Sequence, residues 1–207
     1  MNRFHTEESL AKFAEEFKLH HLPFQKHERE VMHPYNSELT SGTVIRLDAP
    51  TKRYVLVIKE WTTDTHLVIP FSPYSIPALR GEFYIGFDED ISNNCDYQVA
   101  ECWNARTVLN TILEKGWKVG TVSDKVLNSA FALFRHMMID APIDKELQDV
   151  IGAPLKDDKD VRYKYQEEEL KAFRDIVIHI GAKLHEKLVK DKSKEEAERL
   201  ADFLDMM

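Results

Sequence analysis

Trp103-Asn104-Ala105-Arg106 sets an indole three residues from a guanidinium. That pairing can stack a single-stranded base and hold the phosphate beside it. Trp61, Tyr74, Tyr84 and Tyr97 can extend such a surface. A tryptophan at the end of an alternating strand also fills the end of a core, so both roles stand open for Trp103. Trp103 and Arg106 are the nucleic-acid-binding candidates.

Metal chemistry has weaker support. His20, His21, His27 and His33 crowd one polar stretch together with Glu28 and Glu30. Imidazole and carboxylate can share a metal, but no HExxH spacing occurs, and His27 lacks a second histidine at the helical offset. A solvated connector is expected there, with no metal site. His179 and His185 lie six apart, which puts them on different faces of a helix. Asp157-Asp158-Lys159-Asp160 lacks the central glycine and closing glutamate of a calcium loop and reads as a charged surface loop. Cys95 and Cys102 match no zinc spacing and are too few for a disulfide framework, so reduced thiols and no cofactor are expected.

The charge balance bears on the partner. Thirty-six acids against 28 bases leave a net charge of −8, with the signs interspersed and no basic tail. This weighs against broad electrostatic capture of nucleic acid and leaves only a local basic groove. A hydrophobic fraction of 43% is ample for a packed core. No apolar run reaches the ~20 residues a membrane span needs. Nor does Met1–Glu8 carry a signal-type apolar stretch. A cytoplasmic location with no membrane contact is the expectation.

Several elements must position these residues. Leu10, Phe13, Ala14, Phe17 and His21 recur at helical spacing after Thr6, and Leu22-Pro23 ends that helix. Strands are predicted over residues 42–47, 53–58, 66–71, 81–87 and 97–103, separated by turns at 48–52 and 62–64. A short strand or helical turn is expected at Thr107-Val108-Leu109, and Gly116 and Gly120 bracket Trp117-Lys118-Val119. Ser123 then caps a helix with Val126, Leu127, Ala130, Phe131, Phe134, Met137 and Met138 on its core face. Pro142 breaks it, and residues 143–150 can form another helical turn. A long helix is predicted from about Gln166 to Lys190, with Leu170, Phe173, Val177, Ile180, Leu184 and Leu188 inward. Ser193 and Glu196 make a capping box for a last helix carrying Ala197, Leu200, Phe203 and Leu204. The class is α+β: five short strands with tight links point to a small antiparallel barrel closed by an amphipathic helix. The domains read as an N-terminal helical arm and connector (1–37), the barrel (38–140) and a C-terminal helical extension (141–207).

The order of features from Gly42 to Met138 resembles the PemK/MazF-like toxin superfamily, which folds as an SH3-like barrel. The matching stretches are Gly42-Thr43-Val44, Arg53-Tyr54-Val55-Leu56-Val57-Ile58, Ile69-Pro70-Phe71-Ser72 and Gly120-Thr121-Val122-Ser123, roughly half the chain in extent. The resemblance implies metal-independent cleavage of single-stranded RNA, with Arg53 and Ser72 as the catalytic pair and Ser75 as a substitute hydroxyl. A guanidinium there can stabilise the charge growing on the scissile phosphate. His66 and Glu82 are the groups within the barrel able to move the 2′-hydroxyl proton. Thr43 and Tyr54 depart from the family pattern, which carries an acid and a proline at those positions. These departures and the acidic charge favour a binding or regulatory module that engages a protein or RNA partner without catalysis. The toxin-type endoribonuclease is the alternative, and a homodimer through the barrel or the C-terminal helices is a further expectation.

Overall fold

Residues 53–58 send apolar side chains to both sides of one strand, and such a strand must be covered on both faces. The computed structural model describes residues 2, 4–19, 38–48, 52–86, 98–157, 159–191 and 193–207. The elements are α1 (Glu7–Leu19), β1 (Thr43–Asp48), β2 (Lys52–Thr62), β3 (Thr65–Ser72), β4 (Glu82–Tyr84), β5 (Val99–Glu101), β6 (Arg106–Leu109), α2 (Asn110–Leu113), β7 (Trp117–Thr121), α3 (Asp124–Ile139), α4 (Lys145–Gln148), α5 (Arg162–Lys190) and α6 (Lys194–Asp205).

The seven strands form one antiparallel sheet in the order β4-β5-β3-β2-β1-β7. β3 is shared: Thr65–Val68 pair with β6, and Phe71 and Ser72 pair with β5. The path ends at β4 and β7, which do not pair with each other, so the described sheet is open. This corrects the expectation of a closed barrel. Among the described residues, β4 does not meet a strand on its outer side. Residues 150–152 cap it instead, with a bridge from Phe83 to Ile151 and a bond from Tyr84 N to Val150 O at 3.0 Å.

The period-2 alternation of the strands sorts the core into two faces. Val44, Tyr54, Leu56, Leu67, Ile69 and Phe71 pack under Val126, Ala130 and Leu133 of α3. Ile45, Leu47, Val55, Val57, Val68 and Val108 pack under Phe173, Ile176, Val177 and Ile180 of α5, with Leu200 of α6 beside them. The segment read as a C-terminal extension therefore supplies the cover of one whole face. Phe13 and Phe17 of α1 join Tyr74, Ala78, Leu79 and Tyr165 in a third cluster near the start of α5.

Several local details differ from expectation. The strand read as 97–103 stops at Glu101, and Cys102–Asn104 turn through one 3-10 step. α5 begins at Arg162, four residues early, and Leu170 is exposed while Tyr165 and Glu169 are buried. The α3 face turned inward is Val126–Ala130–Leu133, which leaves Met137 and Met138 exposed. Ser123 caps α3 as expected, its Oγ accepting from Val126 N at 3.3 Å. Ser193 makes no side-chain cap on α6. The histidine-rich connector and Cys95 lie outside the described residues.

A buried polar network as the candidate functional site

Val55 pairs with Pro70 across β2 and β3, so two residues further along Arg53 and Ser72 come level at one end of the ladder. Both lie on the face that α5 covers. In the β4–β5 pair, Glu82 stands directly opposite Glu101. Two carboxylates in that relation repel when both are charged. Here both are fully buried, and so is Ser72.

The first two turns of α5 hold these groups together. Tyr165 and Glu169, one turn apart, share a helix face. The Tyr165 hydroxyl lies 2.7 Å from Glu82 Oε1, 3.2 Å from Glu101 Oε1 and 3.1 Å from Ser72 Oγ. Glu169 accepts from Arg53 Nη2 on both its oxygens at 3.1 Å. Arg162 is itself buried and anchors the start of the helix. Its Nη1 donates to Ala78 O at 2.7 Å and Ala153 O at 3.0 Å, and it pairs with Asp160. The same Ala78 turn donates its N–H to Glu82 Oε2 at 2.6 Å, and Leu79 N adds a second bond at 3.2 Å.

The network continues outward. Trp103 Nε1 donates to Glu82 Oε1 at 2.8 Å. Asn104 Nδ2 donates to Glu101 Oε2 at 2.9 Å, and Arg106 Nε donates to Asn104 Oδ1 at 3.3 Å. Arg53, Ser72, Glu82, Trp103 and Arg106 are thus brought into one region. Trp103 is half-buried, with its ring edge-on to Tyr165 at 6.4 Å. Arg106 is half-buried at the rim.

Proton counting assigns the charge states. Glu82 accepts four donors, two on each oxygen, the environment of a carboxylate. Burial nonetheless outweighs those bonds and lifts Glu82 to about 7. Tyr165 has one proton, and its shortest contact directs it to Glu82. Glu101 then faces the tyrosine oxygen and must bring its own proton. Burial, followed by the charges of Glu169 and Glu82, raises Glu101 well above the ordinary carboxylate range, in agreement with that count. Burial likewise raises Tyr165, so its phenol stays neutral.

Other candidates sit elsewhere. Ser75 is exposed, and its N–H donates to Glu16 Oε2 of α1 at 2.9 Å. His66 is at the opposite end of β3 from Ser72, six residues or about 20 Å of strand away, with Nδ1 2.8 Å from Asn110 Oδ1. Cys102 is buried against Ala130 O, and burial raises its thiol. Among the described residues, no three metal-ligating side chains gather and no helix is long and apolar enough to cross a membrane.

Sequence reasoning missed Tyr165, Glu169, Glu101 and Asn104. Starting the long helix at Gln166 left Tyr165 outside it. Tyr165, Glu169, Phe173, Ile176 and Ile180 form one helical stripe, and that spacing was the available signal. Glu101, between Ala100 and Cys102, carries the pattern of a solvent-facing strand position, so only the β4–β5 pairing reveals it as buried. No family model, curated protein or solved structure matches this chain.

Proposed function

We propose that this protein is a binding module that works without catalysis and engages an RNA or protein partner. One observation carries the proposal: the pair implied for catalysis, Arg53 and Ser72, is covered by Tyr165 and Glu169 of the same chain. Ser72 has no exposed surface and Arg53 is 6% exposed, so neither can reach a phosphodiester while α5 is seated. The guanidinium that would steady a developing negative charge already neutralises a carboxylate. Covering side chains on the rest of that face leave recognition to the rim, where Arg106 stands.

The order β1–β2–β3 followed by a Ser123-capped helix supports kinship with SH3-like barrels of the PemK/MazF type, opened here between β4 and β7. A second reading draws on one feature of the site. An arginine, a hydroxyl and two carboxylates do converge, so a toxin-type ribonuclease would be assembled if the first turns of α5 lifted. Incubation of the full chain with a mixed single-stranded RNA pool in chelator separates the two. The binding reading expects intact RNA, together with saturable retention of an oligonucleotide or a captured protein. Metal-free cleavage that disappears in Arg53→Ala would overturn it.

A further inference from the structure

Arg106 differs from the other buried or half-buried arginines in what it faces. Arg46 pairs with Asp48, Arg53 with Glu169 and Arg162 with Asp160. Arg106 has only the neutral Asn104 amide, through its Nε, and no carboxylate partner among the described residues. Asn104 is in turn held by Glu101, so the Arg106 side chain is oriented from behind. None of the buried nitrogens of Arg106 is without a partner. Its Nη groups, which bond to nothing among the described residues, therefore reach solvent.

A second guanidinium comes alongside. Tyr165 touches Ser72 at 3.1 Å, at the end of β3. Nine residues of helix carry α5 forward about 13 Å to Arg174. Four residues of strand carry β3 back about 13 Å from Ser72 to Val68. Val68 is the ladder partner of Arg106, and Phe173, the neighbour of Arg174, packs in the same cluster as Val68. Arg174 thus arrives level with Arg106. Burial, and then the nearby Arg174 charge, lower the Arg106 pKa in accord with that placement. Arg174 Nε lies 4.0 Å from Asp175 Oδ1, a half-exposed contact at the outer limit of ion pairing. Lys171, one turn earlier, is exposed.

We propose that Arg106 and Arg174 form a binding site for a phosphate group, with Arg106 presenting a fixed planar fork and Arg174 closing from the helix. Two guanidiniums from different elements repel one another until an oxyanion sits between them. Arginine suits that role because its donors match phosphate oxygens in pairs. The inference rests on the binding reading for its macromolecular partner, which is the phosphodiester backbone of single-stranded RNA. A free phosphate or phosphomonoester offers the same chemistry.

The test uses the full chain, a short fluorescent single-stranded oligoribonucleotide followed by anisotropy, and inorganic phosphate as ligand and competitor. Arg106→Gln and Arg174→Gln should each weaken oligonucleotide binding by about tenfold, the scale of one charged hydrogen bond. Each should also lower the slope of log affinity against log salt by about 1. Arg106→Lys, which keeps the charge and loses the fork, should fall between wild type and Arg106→Gln. Arg174 is exposed, so its variant should retain the wild-type melting temperature. Arg135→Gln on α3 serves as the unaffected control. Binding of phosphate alone that vanishes in the double variant supports the site with free phosphate as its source. Binding of RNA alone, lost in the same variant, supports the phosphodiester. Undiminished RNA binding in the double variant would overturn the site and leave the binding reading standing. Failure of the wild type to bind either ligand overturns the site as well. Metal-free RNA cleavage would remove the non-catalytic reading, while the phosphate titration still decides the site.

Discussion

The two halves of α5 are held to the sheet by different physics. From Arg162 to Glu169 the helix is fastened by directed bonds to Ala78, Ser72, Glu82, Glu101 and Arg53. From Phe173 to Ile180 it is fastened by apolar packing against Val55, Val57, Val68 and Val108. Apolar contact is non-directional and tolerates exchanges that conserve volume. A buried polar network tolerates no missing member, because each orphaned group keeps its full desolvation cost. The polar half therefore sets where the helix sits, and the apolar half supplies much of the force that keeps it there.

The comparison is broken most severely by removing one partner of the buried ion pair. Glu169→Ala should cost about 3–5 kcal/mol in urea unfolding, since it strands the Arg53 charge in the core. Replacing both, as Arg53→Met with Glu169→Leu, should restore most of that loss. Recovery would show that the cost lies in the orphaned charge and not in the pair's own attraction.

Next comes pH. Glu82 titrates at about 7 in the folded chain against an ordinary 4.5, so the native state binds the proton more tightly than the unfolded one. Its stabilising contribution, on the order of 3 kcal/mol, is complete below about pH 4.5 and is lost as pH rises through 7. Glu101 acts with the same sign. Asp160 has the opposite sign: its pKa is held down to about 2, so its contribution is lost only as pH falls through that value. Thermal melts from pH 5 to 8 should therefore show falling stability. Amide exchange over residues 162–169 should quicken more than over 173–180. Glu101→Gln can donate to the Tyr165 oxygen as the neutral acid does, so its melts should vary less steeply with pH. An unchanged slope would count against the proton assignment.

Tyr165→Phe deletes the hydroxyl at the centre of the network and should cost about 1–3 kcal/mol by urea unfolding. Ile176→Val in the apolar half should cost least, about 0.5–1.5 kcal/mol, with no change in the pH dependence. Equal losses from these two would erase the distinction between the halves.

Much of this arrangement was legible in advance. The β-branched and aromatic run at 53–58 and the apolar run at 66–71 located two strands, and the Ser123 cap located the start of α3. Phe173, Val177 and Ile180 were read as inward because their spacing is helical. The site was legible only as fragments. Arg53, Ser72, Glu82, Trp103 and Arg106 were each singled out, but chain distance hid that a single tyrosine, 93 residues beyond Ser72, joins the cluster. Glu169 could be placed only by its position on the inward stripe of α5, and Glu101 was unreadable for a related reason. A charged residue is given a solvent face by pattern alone, and only its partners explain why it is buried.

Local terms were readable from the chain alone: which segments are apolar and β-branched enough for strands, which helices carry an apolar stripe, and that Ser123 begins a helix. Those depend on neighbours within a turn or a strand pair. Long-range packing alone settled that the described sheet stays open between β4 and β7, and that α5 covers the Arg53 face. It also decided that two opposed glutamates are bridged by Tyr165. Each of these is a contact between segments far apart in sequence, where loop closure and burial set the free energy and local pattern carries no record of the partner.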